Sequence, residues 1–103
     1  MKQRAFSLHP RAKQDYRSIW RLVAQKDGEA RADSLLSRIE AFCRSLGEFS
    51  DIGTRHDERF RGLRSVGIPG LKSVVVLFFI GKDHVVVLRV GYLGKDVWSD
   101  LKL

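Results

Sequence analysis

Apolar and polar residues follow three rhythms along this chain, and each change of rhythm marks a change of structure. Phe6 and Leu8 alternate with polar neighbours, the period of a short strand. From Pro10 the step lengthens: Ala12, Tyr16, Ile19, Trp20 and Val23 recur every three or four residues, while Arg11, Lys13, Arg17 and Arg21 fall elsewhere on the wheel. That is an amphipathic helix with a basic outer side. Pro10 suits its first turn, where a missing N–H costs nothing. Asp27-Gly28 breaks the helix, and Leu35, Leu36, Ile39, Phe42, Cys43 and Leu46 predict a second one that stops at Gly47. So short a break predicts an antiparallel helix hairpin lying on a sheet.

The second half reads differently. Ser50 to Arg59 is polar, carries Gly53 and lacks either periodicity, so it is a surface loop by its sequence. Arg61 to Ser65, with Leu63 between flanking arginines, predicts a short strand, and Gly67 with Pro69-Gly70 marks a turn. Ser73 to Ile80 is a nearly unbroken apolar run, Gly81-Lys82-Asp83 supplies the reversal, and Val85 to Val90 returns as the second arm of a hairpin. A one-sided strand would alternate, yet Val74, Val76, Phe78 and Ile80 on one face and Val75, Leu77 and Phe79 on the other are all apolar. Both faces need cover. The helices cover one; a C-terminal helical turn, Asp96 to Leu101 with Val97, Trp98 and Leu101, covers part of the other. The remainder implies a partner segment, with self-association or a larger C-terminal cover as the alternatives.

The fold class is therefore α+β: an N-terminal strand, a two-helix antiparallel hairpin packed on one face of a small antiparallel sheet, and a short C-terminal helical turn. At 103 residues, the chain from 1 to 103 is expected to be a single domain. The formal charge of +7 and the pI near 10.1 favour an acidic partner, though charge repulsion for solubility is the plainer reading. No apolar run approaches the ~20 residues of a membrane span, and Met1 to Pro10 has no signal-peptide core, so a cytoplasmic protein without membrane contact is expected. The one cysteine, Cys43, has no partner for a disulfide or a metal pair and falls on the apolar stripe of a helix, which predicts a buried inert thiol. Neither a cofactor nor a metal is expected.

Several of these pieces, in this order, resemble the RelE/ParE superfamily of toxins from bacterial type II toxin-antitoxin pairs, and within it the ParE branch. The first helix carries Arg11-Ala12, Asp15 and Ile19-Trp20; the middle carries Gly62-Leu63-Arg64-Ser65; the final strand reads Val87-Leu88-Arg89-Val90; Asp96 matches an acidic residue opening the last helical turn. The resemblance begins at Leu8 and covers nearly the whole chain. There are two departures. Where the branch commonly has Leu-His-Gly, this chain has Gly91, Tyr92 and Leu93, and His9 replaces a small hydroxyl cap.

The resemblance implies a toxin with one of two activities. ParE relatives poison DNA gyrase; RelE relatives cut messenger RNA on the ribosome. Cutting RNA requires groups that take and give protons, together with cations for the charge on phosphate. Arg61, Arg64, Arg89 and Lys95 supply cations, but Tyr92 is the one proton carrier in the right region, and a tyrosine pKa of about 10 would have to fall several units. The gyrase reading, with no catalytic residue, is therefore preferred, and Arg89, Tyr92, Lys95 and Trp98 are its target-binding candidates. A basic nucleic-acid-binding module ranks third. The implied partner is an acidic, ParD-like antitoxin, forming a hetero-oligomer through Tyr16, Trp20, Val75, Leu77 and Phe79, with Arg61 and Arg64 meeting its carboxylates. For Arg64 and Arg89 the alternatives are ion pairs with Asp57 or Glu58, and for Arg89 also a structural role lining the sheet. Tyr16 and Trp20 have core packing as theirs, and Trp98 is either the plug of a small core or an interface anchor.

Overall fold

Pro10 opens the first helix as its sequence predicts, and the residue before it supplies the cap: His9 Nδ1 accepts the N–H of Arg11 at 3.0 Å. The imidazole thus takes the place of the hydroxyl that more often caps such a helix. In the computed structural model, which describes residues 3–99, the elements run β1 (Ala5–Leu8), α1 (Pro10–Asp27), α2 (Glu29–Ser45), β2 (Thr54–Arg55), β3 (Leu63–Ile68), β4 (Leu71–Ile80) and β5 (His84–Tyr92). Gly28, at φ 94°, is the single residue between the helices. Gly47 ends the hairpin for a reason of space: a Cβ there would come within 2.9 Å of the Arg4 carbonyl oxygen, where the chain passes the start of β1.

The five strands form one sheet in the order β1-β5-β4-β3-β2. Four of them are antiparallel neighbours, as the hairpin pattern predicts. β1 is the exception and runs parallel to β5, with Ala5 opposite His84 and Leu8 opposite Val87, so the sheet is mixed. No local pattern announces such a pairing, because the partners are far apart in the chain. A bulge interrupts β4 and β5: Leu77 faces Arg89 while Phe78 faces Val87, leaving Leu88 as the extra residue.

Both helices lie on one face. Ala12, Ile19 and Val23 of α1 and Leu36, Ile39 and Cys43 of α2 pack with Val76, Phe78, Val85, Val87 and Val90 of the sheet, while Trp20, Leu35 and Phe42 form a half-buried rim. The opposite face holds a smaller core, Leu63, Leu77, Leu88 and Val97, bordered by Val75, Phe79, Val86 and Trp98. The C-terminal segment therefore covers the centre of the second face itself. Leu77, expected to await a partner, is 0% exposed beneath it.

One loop also differs from its sequence reading. Thr54 and Arg55, inside the polar stretch, pair with Ser65 and Arg64 as a two-residue edge strand too short to show any alternation. At the C-terminus, Asp96 Oδ1 accepts the N–H groups of Trp98 at 2.8 Å and Ser99 at 3.3 Å, a helix-capping arrangement. The rest of the expected helical turn, through Leu101, lies outside the described residues. Among the described residues no helix is long and apolar enough to cross a membrane.

Candidate functional site

The fold gathers most of the candidate residues in three places. The first is the seam of the helix hairpin. Tyr16, Arg17 and Trp20 of α1 face Asp33, Leu36, Ser37 and Glu40 of α2 across a shallow cleft of about 380 Å³. Trp20 Nε1–H donates to Asp33 Oδ1 at 2.7 Å, which fixes the indole across the seam. Tyr16 points inward and shares a hydrogen bond with Cys43; burial raises the phenol's pKa above its ordinary value and pushes the thiol up to about 11. Both stay protonated at neutral pH, so neither is a nucleophile or a base.

The second place is the free edge of β5. β1 stops at Leu8, and beyond it the edge has no strand neighbour. Asp15 fills the gap: its Oδ2 accepts the Val90 N–H at 2.8 Å and Arg89 Nε–H at 2.8 Å, and its Oδ1 accepts Arg89 Nη2–H at 3.1 Å. Arg89 is 3% exposed and Asp15 5%, so this is a core ion pair joining α1 to β5. That corrects the placing of Arg89 on a contact surface; its surroundings are those of a structural arginine. Tyr92 and Lys95 do come together, lining a cleft of about 200 Å³ with Ser18, Ile19, Leu22 and Val90.

The third place is the second face of the sheet. Trp98 packs edge-on against His56 at 4.7 Å between ring centres, and the Arg59 guanidinium lies 4.7 Å from the Trp98 ring centre. His56 Nε2 is 2.8 Å from Ser65 Oγ, and its Nδ1 is 3.7 Å from Glu58 Oε1. The cluster ties the 56–60 loop and the C-terminal segment to β3. Phe79 is half-buried between Phe60 and His84, and Val75 is also half-buried.

The remaining arginines lie at the other end of the sheet. Arg61 is exposed in the turn before β3; Arg64 is 3.6 Å from Asp51 and donates to the Ile52 carbonyl at 3.4 Å. Asp57 is committed elsewhere, accepting the Gly62 N–H at 3.0 Å and Arg55 at 2.7 Å, and these bonds hold its carboxyl below the usual range. The expected pairs of Arg64 and Arg89 with Asp57 or Glu58 thus give way to Asp51 and Asp15. Gly62, next to Arg61, bonds to Ile80 at one end of β4, while Tyr92 pairs with Val74 near the other. Six residues of strand separate these points, roughly 20 Å at ~3.3 Å per residue. Arg61 of the nuclease reading therefore stands far from its tyrosine, and of the cations in that reading Lys95 is the one beside Tyr92.

Of the histidines, His9 caps α1, His56 holds the Trp98 cluster, and His84 packs on Phe79 at the start of β5. Among the described residues no group of three or more His, Cys, Asp or Glu gathers to hold a metal ion. Asp15 was legible in the sequence only as a motif residue. Its position carried a stronger signal, an acid three residues after Ala12 and four before Ile19, inside an apolar stripe. His56 and Arg59 gave no such signal, because their partner Trp98 is some forty residues away in the chain.

The architecture matches solved toxin structures. A chain of the chromosomal ParDE toxin-antitoxin system from P. aeruginosa superposes with a TM-score of 0.75 at 14% identity, covering 88% of this chain and 97% of that one. A chain of the toxin-antitoxin complex RelBE2 from Mycobacterium tuberculosis gives 0.65 at 18% identity, covering 89% and 93%. At these identities the likeness is one of fold. No curated protein matches the sequence. The family described as ParE toxin of type II toxin-antitoxin system, parDE, matches residues 6–97, from β1 through the strap that covers the second face. By sequence over nearly its full length, this chain belongs to the ParE toxin family of type II toxin-antitoxin systems.

Proposed function

We propose that this ParE-family toxin acts in the cytoplasm by binding DNA gyrase and thereby blocking replication, and that an acidic, ParD-like antitoxin neutralises it in a hetero-oligomer. The observation that carries the reading is the separation of the nuclease candidates. Arg61 lies roughly 20 Å and Arg64 roughly 13 Å along β4 from Tyr92, and Arg89 is locked to Asp15, so of the nuclease cations Lys95 alone stands beside the tyrosine. A binding surface has no such requirement. Tyr92 and Lys95 share a cleft at the end of β5, while Trp98 lies on the second face against His56 and Arg59, two places suited to contact rather than catalysis.

The antitoxin reading rests on separate surfaces. The cleft at Tyr16 and Trp20 and the half-buried Val75 and Phe79 offer apolar contact, and the exposed Arg61 with Arg64 offers charge. The toxins of similar fold come from toxin-antitoxin systems.

The test is growth arrest after induction, with DNA and messages analysed together. Gyrase-dependent DNA breaks with intact messages are expected. Tyr92→Phe removes one hydroxyl, worth about 0.5 to 1.5 kcal/mol, and should stay toxic; a lost proton carrier would instead cut RNA cleavage by roughly 100- to 10,000-fold. Trp98→Ala should reduce toxicity far more, with antitoxin binding retained and folding verified by circular dichroism. Cleaved messages with intact DNA, abolished by Tyr92→Phe in a folded protein, would establish the ribonuclease instead.

A further inference from the structure

A cleft of about 360 Å³ opens between the middle of α2, the end of α1 and the β3–β4 turn, with Tyr92 at its far wall. It is separate from the three places described above, apart from Tyr92, which stands between it and the smaller cleft at Lys95. Its charged lining is Arg31, Arg38 and Asp27. Among the described residues neither arginine makes a hydrogen bond or ion pair, unlike Arg55, Arg64 and Arg89, each of which has an acidic partner. Both arginines are exposed. The β3–β4 turn runs beside Arg38 at Gly70, where φ is +81° and a Cβ would sit 3.1 Å from Arg38 Nη2.

We propose that this cleft is a binding site for a small phosphorylated ligand of nucleotide size. Two guanidinium groups bring two positive charges, and a phosphate monoester carries roughly −1.5 to −2 at neutral pH, so it satisfies both where a carboxylate would satisfy one. Asp27 is then the acceptor for a sugar hydroxyl rather than a misplaced repulsive charge. Leu71, Val74 and the ring of Tyr92 supply an apolar wall for a base. The volume lies at the lower end of the roughly 300 to 1,000 Å³ range of small-molecule sites.

Calorimetric titration of the purified chain with adenosine monophosphate tests this at physiological salt. One saturable site is expected, tighter than for inorganic phosphate and much tighter than for succinate. Arg31→Gln and Arg38→Gln should each weaken it at least about tenfold, the loss expected when a hydrogen bond to a charged group is removed. Arg21→Gln removes the same charge from the outer side of α1 and should leave the affinity unchanged. In the unmodified chain, the amide signals of Gly70, Leu71 and Tyr92 should move on titration, a readout independent of any variant's folding. Binding that never saturates, that falls equally in Arg21→Gln, or that leaves those amides still would overturn the site. Adenosine monophosphate no tighter than phosphate, or no tighter than succinate, would overturn the nucleotide assignment.

Discussion

Asp15 and Arg89 are 74 positions apart in the chain and 2.8 Å apart in space, which makes their pair the most consequential contact between α1 and the sheet. Removing one partner leaves a buried charge uncompensated. Arg89→Met should cost about 3 to 5 kcal/mol, read from the midpoint of urea unfolding. Adding Asp15→Leu should recover part of that loss but not all, because the Val90 N–H then has no acceptor, a penalty of about 1 to 3 kcal/mol. A double variant no more stable than Arg89→Met would contradict this account. Cys43 sets a second expectation. Burial, chiefly, lifts its thiol from an ordinary 9.0 to about 11. The folded protein thus keeps a proton that the unfolded chain gives up first. Stability is full below pH 9 and falls between about 9 and 11, and the raised Tyr16 phenol adds to the fall at higher pH. Thermal melting across that range should show it, and Cys43→Ala should flatten the slope. An unchanged slope in that variant would count against the thiol as its source.

Elements differed in how much of themselves the sequence disclosed. α1, α2 and the β4–β5 hairpin each carry a period long enough to stand out, and each was legible to within a few residues. β2 was not, since two residues have no period, and its existence depends on the edge that β3 offers. The parallel pairing of β1 escaped for a related reason: alternation announces a strand but not its neighbour. In the candidate site, the apolar excess on both faces of β4 was legible as a demand for cover. Val97 was expected to cover part of the second face, and it does so at Leu77, where a partner segment was also expected; a short segment shows that it can cover, not which residue it reaches. Arg89 shows the same limit from the other side. A cation flanked by Leu88 and Val90 suggests a special role, but only the position of Asp15 distinguishes a buried tie from a surface contact.

For the molecule as a whole, a formal charge of +7 over 103 residues sets the long-range field in which any acidic partner approaches. If the antitoxin is acidic, its dissociation constant should rise with salt, yet binding should persist at high salt through the apolar contacts at Trp20 and Phe79. Arg61→Gln with Arg64→Gln should make the dependence shallower; affinity indifferent both to salt and to those arginines would remove charge from the recognition. The order of the sheet bears on when such a protein becomes dangerous to the cell that makes it. Among the described residues β5 is the last strand, yet it lies inside the sheet, between β1 and β4, with Ala5 opposite His84 across 79 residues. A nascent chain on the ribosome therefore carries β1 with no strand to pair it until β5 emerges, and closing so distant a contact is slow. The sheet closes only once β5 has been made, which leaves an antitoxin already present in the cell time to meet the toxin as it folds.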